Sequence, residues 1–315
     1  MPILEPFPLS SMLGVPFADY LNVTTPKENE PRLLEKLVPL FESLGPIEAQ
    51  PEEGFYKLYS IGTRGGALSF VPTGVFKLKV RGKVFVISAS GGALAAMRSK
   101  GVFSEYLSIL SEAPHRVSML HATQDYHVAS PSASVLCVKA AAIAGEVSLT
   151  RKRLLPGQVR SLLQVNPEGE ETGTVYLGNR ANADVWAKVY DKREERRSRA
   201  AADPGPIVRV EIAVQSDVGA TLKDAHDPAS IFFHFAGRSL VAVPPANPSW
   251  VAHGEGFISP PRKERLLVDQ LDNLFEFSPD LKRLVTVAVG AYGPKAGDVL
   301  ARRLRARCEA ALVPA

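Results

Sequence analysis

The chain has 315 residues, 45% hydrophobic and 22% charged, and its 37 basic and 33 acidic side chains leave a net charge of +4. That balance is typical of a folded globular protein and excludes a disordered or collagen-like chain. No run reaches the roughly 18 apolar residues of a spanning helix, so no membrane partner is expected.

The segment from Ala18 to Thr24 alternates in polarity and predicts a strand. From Glu30 to Leu44, apolar residues at Leu33, Leu34, Leu37, Leu40 and Phe41 follow helical spacing, and Gly45-Pro46 stops the helix. Glycines then punctuate short predicted strands at Phe55–Ser60, Ala67–Val71, Val75–Val80 and Val84–Ser88. Helices are predicted over Ala93–Arg98 and Ser104–Leu110, and a strand over Val117–Thr123. The stretch from Pro131 to Leu163 reads as mostly helical, broken at Pro156-Gly157. Strands follow at Val175–Leu177, Val185–Val189 and Val208–Val214. Helices are expected at Thr221–His234, Lys263–Phe275, Leu281–Tyr292 and Pro294–Leu312. Composition leaves Arg193–Ala202 open between a helix and a disordered excursion. Strands followed by helices, twice over, predict an α+β protein with two sheet-bearing lobes. The expected divisions are 1–165, a lobe with helices; 166–260, a second lobe; and 261–315, a helical segment.

Cys137 and Cys308 lie outside any C-x-x-C pair, which argues against a zinc site and for an intracellular protein. The first residues lack a basic segment followed by an apolar run, so no signal peptide is expected, and the location is expected to be cytoplasmic. Six basic residues (Lys188, Lys192, Arg193, Arg196, Arg197, Arg199) face three acidic ones between Lys188 and Arg199. Such a run is either a solvated surface or a grip on phosphate, and a tyrosine in its midst, Tyr190, favours phosphate. Arg302, Arg303, Arg305 and Arg307 form a second basic cluster, read as a solvated helix face.

Tyr190 lies between Lys188 and Asp191-Lys192. A phenol can attack phosphorus, and cations nearby would favour its phenolate; the competing reading is an ordinary strand tyrosine. Tyr176 is the rival, read as packing or as a platform for a DNA base. Arg209 and Glu211 share one face of an alternating strand, where they form either a plain salt bridge or a metal ligand with a phosphate-binding partner. His121 and Asp125 share a face if their strand continues, and Asp19 and His127 are further candidates. Gly178-Asn179-Arg180 and Ser88–Gly92 could each hold a phosphate or turn a corner. Neither fits a nucleotide-binding pattern, so no nucleotide cofactor is expected.

Three segments in order carry a resemblance. Thr174-x-Tyr176-x-Gly178-x-Arg180, then Lys188-x-Tyr190-Asp191-Lys192, then Arg209-x-Glu211 resemble the Rep_trans family. These are rolling-circle replication initiators of plasmids and phages, related to a class of conjugative relaxases. Val84–Gly91 is similar to the family's strand ending in S-G, and Arg116–Asp125 to its T-R-x-D-x-x-x-D strand, with His121 where the family usually has aspartate. The resemblance implies two related antiparallel sheets with packed helices, facing each other with the active site between them. It implies Tyr190 as nucleophile for nicking and joining one DNA strand at an origin. Glu211, Asp125 and His121 would hold a divalent metal, Mn²⁺ or Mg²⁺, with the histidine favouring Mn²⁺. Arg180, Lys188, Lys192, Arg193, Arg196, Arg197 and Arg209 would contact DNA. Origin DNA, single-stranded or in a hairpin, and a host helicase are the implied partners, and palindromic origins are compatible with a homodimer. The alternatives are a conjugative relaxase with the same chemistry and a DNA-binding regulator that has lost catalysis, which the His121 departure supports.

Overall fold

In the computed structural model the described residues are 8–52, 55–64, 70–150, 156–166, 171–180, 183–197 and 203–245, with Leu154, Gly169, Trp250 and Val251. Ten strands form one antiparallel sheet: β1 (Met12–Pro26), β2 (Ile47–Glu52), β3 (Phe55–Arg64), β4 (Phe70–Arg81), β5 (Val84–Ser90), β6 (Arg116–His127), β7 (Val159–Val165), β8 (Glu171–Leu177), β9 (Val185–Asp191) and β10 (Ile207–Gln215). Their order is β2-β3-β4-β5-β1-β6-β10-β9-β8-β7. The helices are α1 (Glu30–Ser43), α2 (Gly91–Ser99), α3 (Phe103–Ser111), α4 (Pro131–Ile143), α5 (Lys192–Arg197), α6 (Leu222–His226) and α7 (Ala229–Ala236). The fold is α+β, as the strand-then-helix succession predicts.

That order contains a repeat that residue identities do not display. A long strand, β1, precedes a helix and a meander of four strands, the last of which returns to pair with β1. The same description holds for β6, α4 and β7 to β10. The two halves do not face each other as separate sheets, as the resemblance implied. They join side by side where β1 pairs with β6, in a register that includes Tyr20 opposite His121 and Leu21 opposite Leu120. The division expected at 165 falls at the end of β7, inside this sheet, and Met1–Ile258 form one compact unit.

Alternation assigns the two faces. One is apolar: Leu21 and Val23, Phe85 and Ile87, Leu120 and Ala122, Ala187 and Val189, and Val210, Ile212 and Val214 are all buried. Helices α2, α4, α6 and α7 pack on these strands. Phe41 of α1 stacks on Phe76 of β4 with ring centroids 3.7 Å apart. Helix α1 forms because its apolar residues recur every three or four positions, and Leu33, Leu37, Leu40 and Phe41 are the ones buried.

Two expectations change, and one open choice is met by a helix at its start. Residues 159–165 are not helical but an edge strand, with Leu162 68% and Val165 71% exposed, so no buried stripe gave them a strand signature. The helix expected over Thr221–His234 is two helices, parted at Asp227-Pro228, where proline removes a backbone donor. The Arg193–Ala202 run begins as the short helix α5. The helices expected beyond 260 lie outside the described residues, as does Cys308. No helix among the described residues is long and apolar enough to cross a membrane.

The corner from β5 into α2 is tightly built. Ser90 caps the helix, its Oγ accepting from the Ala93 and Val75 amides. A Cβ on Gly92 would collide with the Thr73 carbonyl, and one on Gly91 with the Asp19 carboxylate. The Ser-Gly-Gly stretch is therefore a corner and a seat for Asp19, and its helix N-terminus is already capped. Gly92→Ala is expected to destabilise the protein by roughly 3 kcal/mol in denaturant unfolding, the order of an overpacked core. Gly157→Ala, where a Cβ meets nothing, should leave stability within about 0.5 kcal/mol of the parent.

Candidate active site

The face of the sheet opposite the apolar one carries the polar residues that the sequence singles out. Pairing arranges them in three rows across β1, β6, β10, β9 and β8. Asp125, Arg209, Tyr190 and Thr174 form one row. Phe17, Thr123, Glu211, Lys188 and Tyr176 form the next. Tyr20, His121, Ala213 and Trp186 form the third. Residues more than a hundred positions apart meet here because β6 runs on to His127 and so keeps His121, Thr123 and Asp125 on one face.

At the centre, the Tyr190 hydroxyl donates to Glu211 Oε1 at 2.7 Å. Lys188 Nζ lies 3.6 Å from the same oxygen and 3.8 Å from the centre of the Tyr190 ring. His121 Nδ1 lies 3.7 Å from Glu211 Oε2. Burial alone would raise the Glu211 carboxyl, but the His121 imidazole, the Lys188 ammonium and the Tyr190 hydroxyl outweigh it and hold it at about 2. Tyr190 moves the other way: burial and the adjacent Glu211 carboxylate push its phenol well above 10, and Arg209 opposes them too weakly to reverse the shift. Cations next to Tyr190 were expected to favour the phenolate. The resting arrangement instead keeps the phenol protonated, because it is buried and its oxygen faces a carboxylate. Tyr190 is only 3% exposed.

Arg209 and Glu211 point the same way, as their spacing requires, but do not pair with each other. Arg209 grips Asp125 with two bonds, Nε to Oδ1 at 2.6 Å and a terminal nitrogen to Oδ2 at 2.8 Å. Its other terminal nitrogen is 3.4 Å from Asp19 Oδ2. Asp19 is the extra residue of a β-bulge in β1, between the Ala18–Ala122 and Tyr20–His121 pairs, which turns its carboxylate toward Arg209. Burial raises the Asp19 carboxyl against the pull of Arg209.

The three expected metal ligands divide accordingly. Glu211 and His121 come together, while both oxygens of Asp125 are taken by Arg209. Among the described residues no group of three or more His, Cys, Asp or Glu is placed to hold a metal ion. As arranged, these side chains do not fit a divalent cation. His127 is exposed at the strand's end.

The expected DNA contacts also divide. Lys192 bonds Glu195 at 2.6 Å, Arg193 bonds Asp203 at 3.0 Å and Arg197 bonds Glu194 at 2.7 Å. The basic run is thus largely offset by its own carboxylates. Arg196 and Arg180 are exposed, and Lys188 is partly so. Trp186, Thr123 and Tyr20 were missed by sequence reasoning. Trp186-x-Lys188-x-Tyr190 alternates along one strand, and that period was the available signal.

No protein-family model and no curated protein matches the sequence. Among solved structures, the chain is similar to a rolling circle replication initiator protein from Geobacillus stearothermophilus, at 18% identity over 64% of this chain and 75% of that one. The TM-score of 0.40 is too low to establish a shared fold.

Glu211 sets a pH dependence. Its carboxyl is lowered from 4.5 to about 2, so ionised Glu211 favours the folded state above pH 4.5, and that contribution is lost as pH falls toward 2. Glu211→Gln should flatten the stability-against-pH curve in this window, as read by urea unfolding. It should also lower the Tyr190 phenol pKa, followed by carbon NMR of the tyrosine ring, by removing the facing charge.

Proposed function

We propose that this protein nicks and rejoins one DNA strand at an origin, with Tyr190 as the nucleophile, in the initiation of rolling-circle replication. The observation that supports this best is the meeting of the three motif segments on one sheet face, with the Tyr190 hydroxyl on Glu211 and Lys188 over both. The Tyr190 oxygen would attack phosphorus and form a phosphotyrosine with the 5′ end, while the bond to the 3′ oxygen breaks and that oxygen takes a proton from water to leave a free 3′ hydroxyl primer. The phenolic proton has one acceptor in contact, Glu211 Oε1. Glu211 at about 2 is a weak base, but an arriving phosphate adds negative charge beside it and draws Lys188 away, and both effects raise its affinity for the proton. Lys188, partly exposed in the same row, is the cation placed to meet that phosphate. Because no set of ligands converges among the described residues, no step is assigned to a metal.

A conjugative relaxase would use the same steps. The reading of a DNA-binding protein without strand scission has an observation of its own. Asp125 is closed by Arg209, and Tyr190 is buried against Glu211.

Incubation with single-stranded origin DNA separates chemistry from binding. Tyr190→Phe is expected to abolish the covalent adduct while origin binding stays within a few-fold, and Tyr176→Phe to nick nearly normally. Adducts formed by Tyr190→Phe would move the role elsewhere, and no adduct from the parent protein would leave only the binding reading.

The salt dependence of binding identifies the phosphate contact. Lys188→Ala should reduce the slope by about 0.7, one single-strand contact, and Arg193→Ala, already paired with Asp203, should leave it unchanged.

A further inference from the structure

The third row holds more than the proposed chemistry uses. Tyr20 and His121 lie with ring centres 5.1 Å apart, and His121 meets Trp186 edge-on at 5.4 Å. Their strands are separated by β10, which puts Ala213 between them, and only so small a residue lets the two rings meet across it. On the far side of Trp186 lies the Arg180 guanidinium, 5.0 Å from its ring and 5.5 Å from that of Tyr176. Arg180 is exposed, so a planar cation that can leave contacts two aromatic rings at once. Gly178, at φ +94° with Trp186 against it, makes the turn that brings Arg180 over the rings.

Three polar atoms in and beside this patch are unsatisfied. Trp186 Nε1, His121 Nε2 and Thr123 Oγ1 are buried and have no hydrogen-bond partner. Trp186 is 3% exposed and Thr123 fully buried, and a buried polar atom without a partner is costly until a ligand satisfies it. Three such atoms, two on β6 and one on β9 across β10, among rings that offer flat faces, match a ligand that is both planar and edged with donors and acceptors.

We infer that Tyr20, His121, Trp186, Tyr176 and Arg180 form a subsite for an unpaired nucleobase of a single DNA strand. The base stacks on the Tyr176 ring where Arg180 now lies and turns its edge to Trp186 Nε1. The inference rests on the DNA-nicking reading, because the patch adjoins it through Glu211 and Lys188. Stacking accepts any base face, whereas the unsatisfied atoms supply discrimination. Arg180, displaced by the base, is left beside the backbone phosphates.

The test follows tryptophan fluorescence of the full chain titrated with a short unstructured single strand and with a matched abasic strand, binding being measured separately by anisotropy. The base-bearing strand should quench the emission and the abasic strand should not. Trp186→Phe should lose that quenching, while Trp250, bonded to Asp224 at 2.9 Å, keeps its own signal. Tyr176→Ala, a half-buried position that tolerates truncation better, should bind the base-bearing strand about ten-fold more weakly and the abasic strand as before. If the base-bearing strand binds without quenching, or both strands bind equally well, the subsite is wrong and the nicking reading stands. If neither strand binds, the subsite is overturned, and the nicking reading is decided by the incubation with origin DNA.

Discussion

The register of β10 between β6 and β9 is the constraint on which the rest of the site depends. Arg209 must stand opposite both Asp125 and Tyr190, and Glu211 opposite both Thr123 and Lys188. A slip of one residue would turn Arg209 and Glu211 into the apolar layer and bring Val208, Val210 and Ile212 out of it. The burial of those aliphatic side chains therefore fixes the register, and the register delivers the charged residues to one another. The hydrophobic face positions the polar face without touching it.

On the polar face, ion pairing settles into two separate systems. Arg209, Asp125 and Asp19 form one, which ties β10 to β6 and, through the bulge in β1, to the corner before α2. Tyr190, Glu211, Lys188 and His121 form the other. The first is closed: each guanidinium nitrogen has a carboxylate partner, as a buried arginine requires. The second is open. Its carboxylate is strongly acidic, its phenol is held protonated, and its histidine has one nitrogen unpartnered. The open system is where an incoming charged group would change protonation, because opposed shifts sit there on hydrogen-bonded atoms.

Much of the sheet was legible from alternation and turn residues. The strand at Val208–Val214, the shared face of Arg209 and Glu211, and the shared face of His121 and Asp125 all follow from a period of two. Helix α1 followed from the spacing of Leu33, Leu37, Leu40 and Phe41. Strand β7 was not legible, since it lies at the sheet's edge with one side exposed and the other only half-buried, and burial is what writes a pattern into a strand. Trp186 was passed over because nothing in its local sequence separates a packing tryptophan from one beside a site.

The sequence by itself determined which residues could share a face, since that depends on parity within one strand. It also determined that a tyrosine, a glutamate and several cations lie within about forty residues of one another. Only the tertiary structure decided who meets whom. Arg209 chose Asp125 over Glu211 because cross-strand partners stand closer than same-strand neighbours two residues apart. The direction of the Tyr190 shift was decided in the same way. Burial in the sheet raises the phenol first, and the carboxylate that a neighbouring strand brings to its oxygen adds to that, while the cations adjacent in sequence lie over its ring.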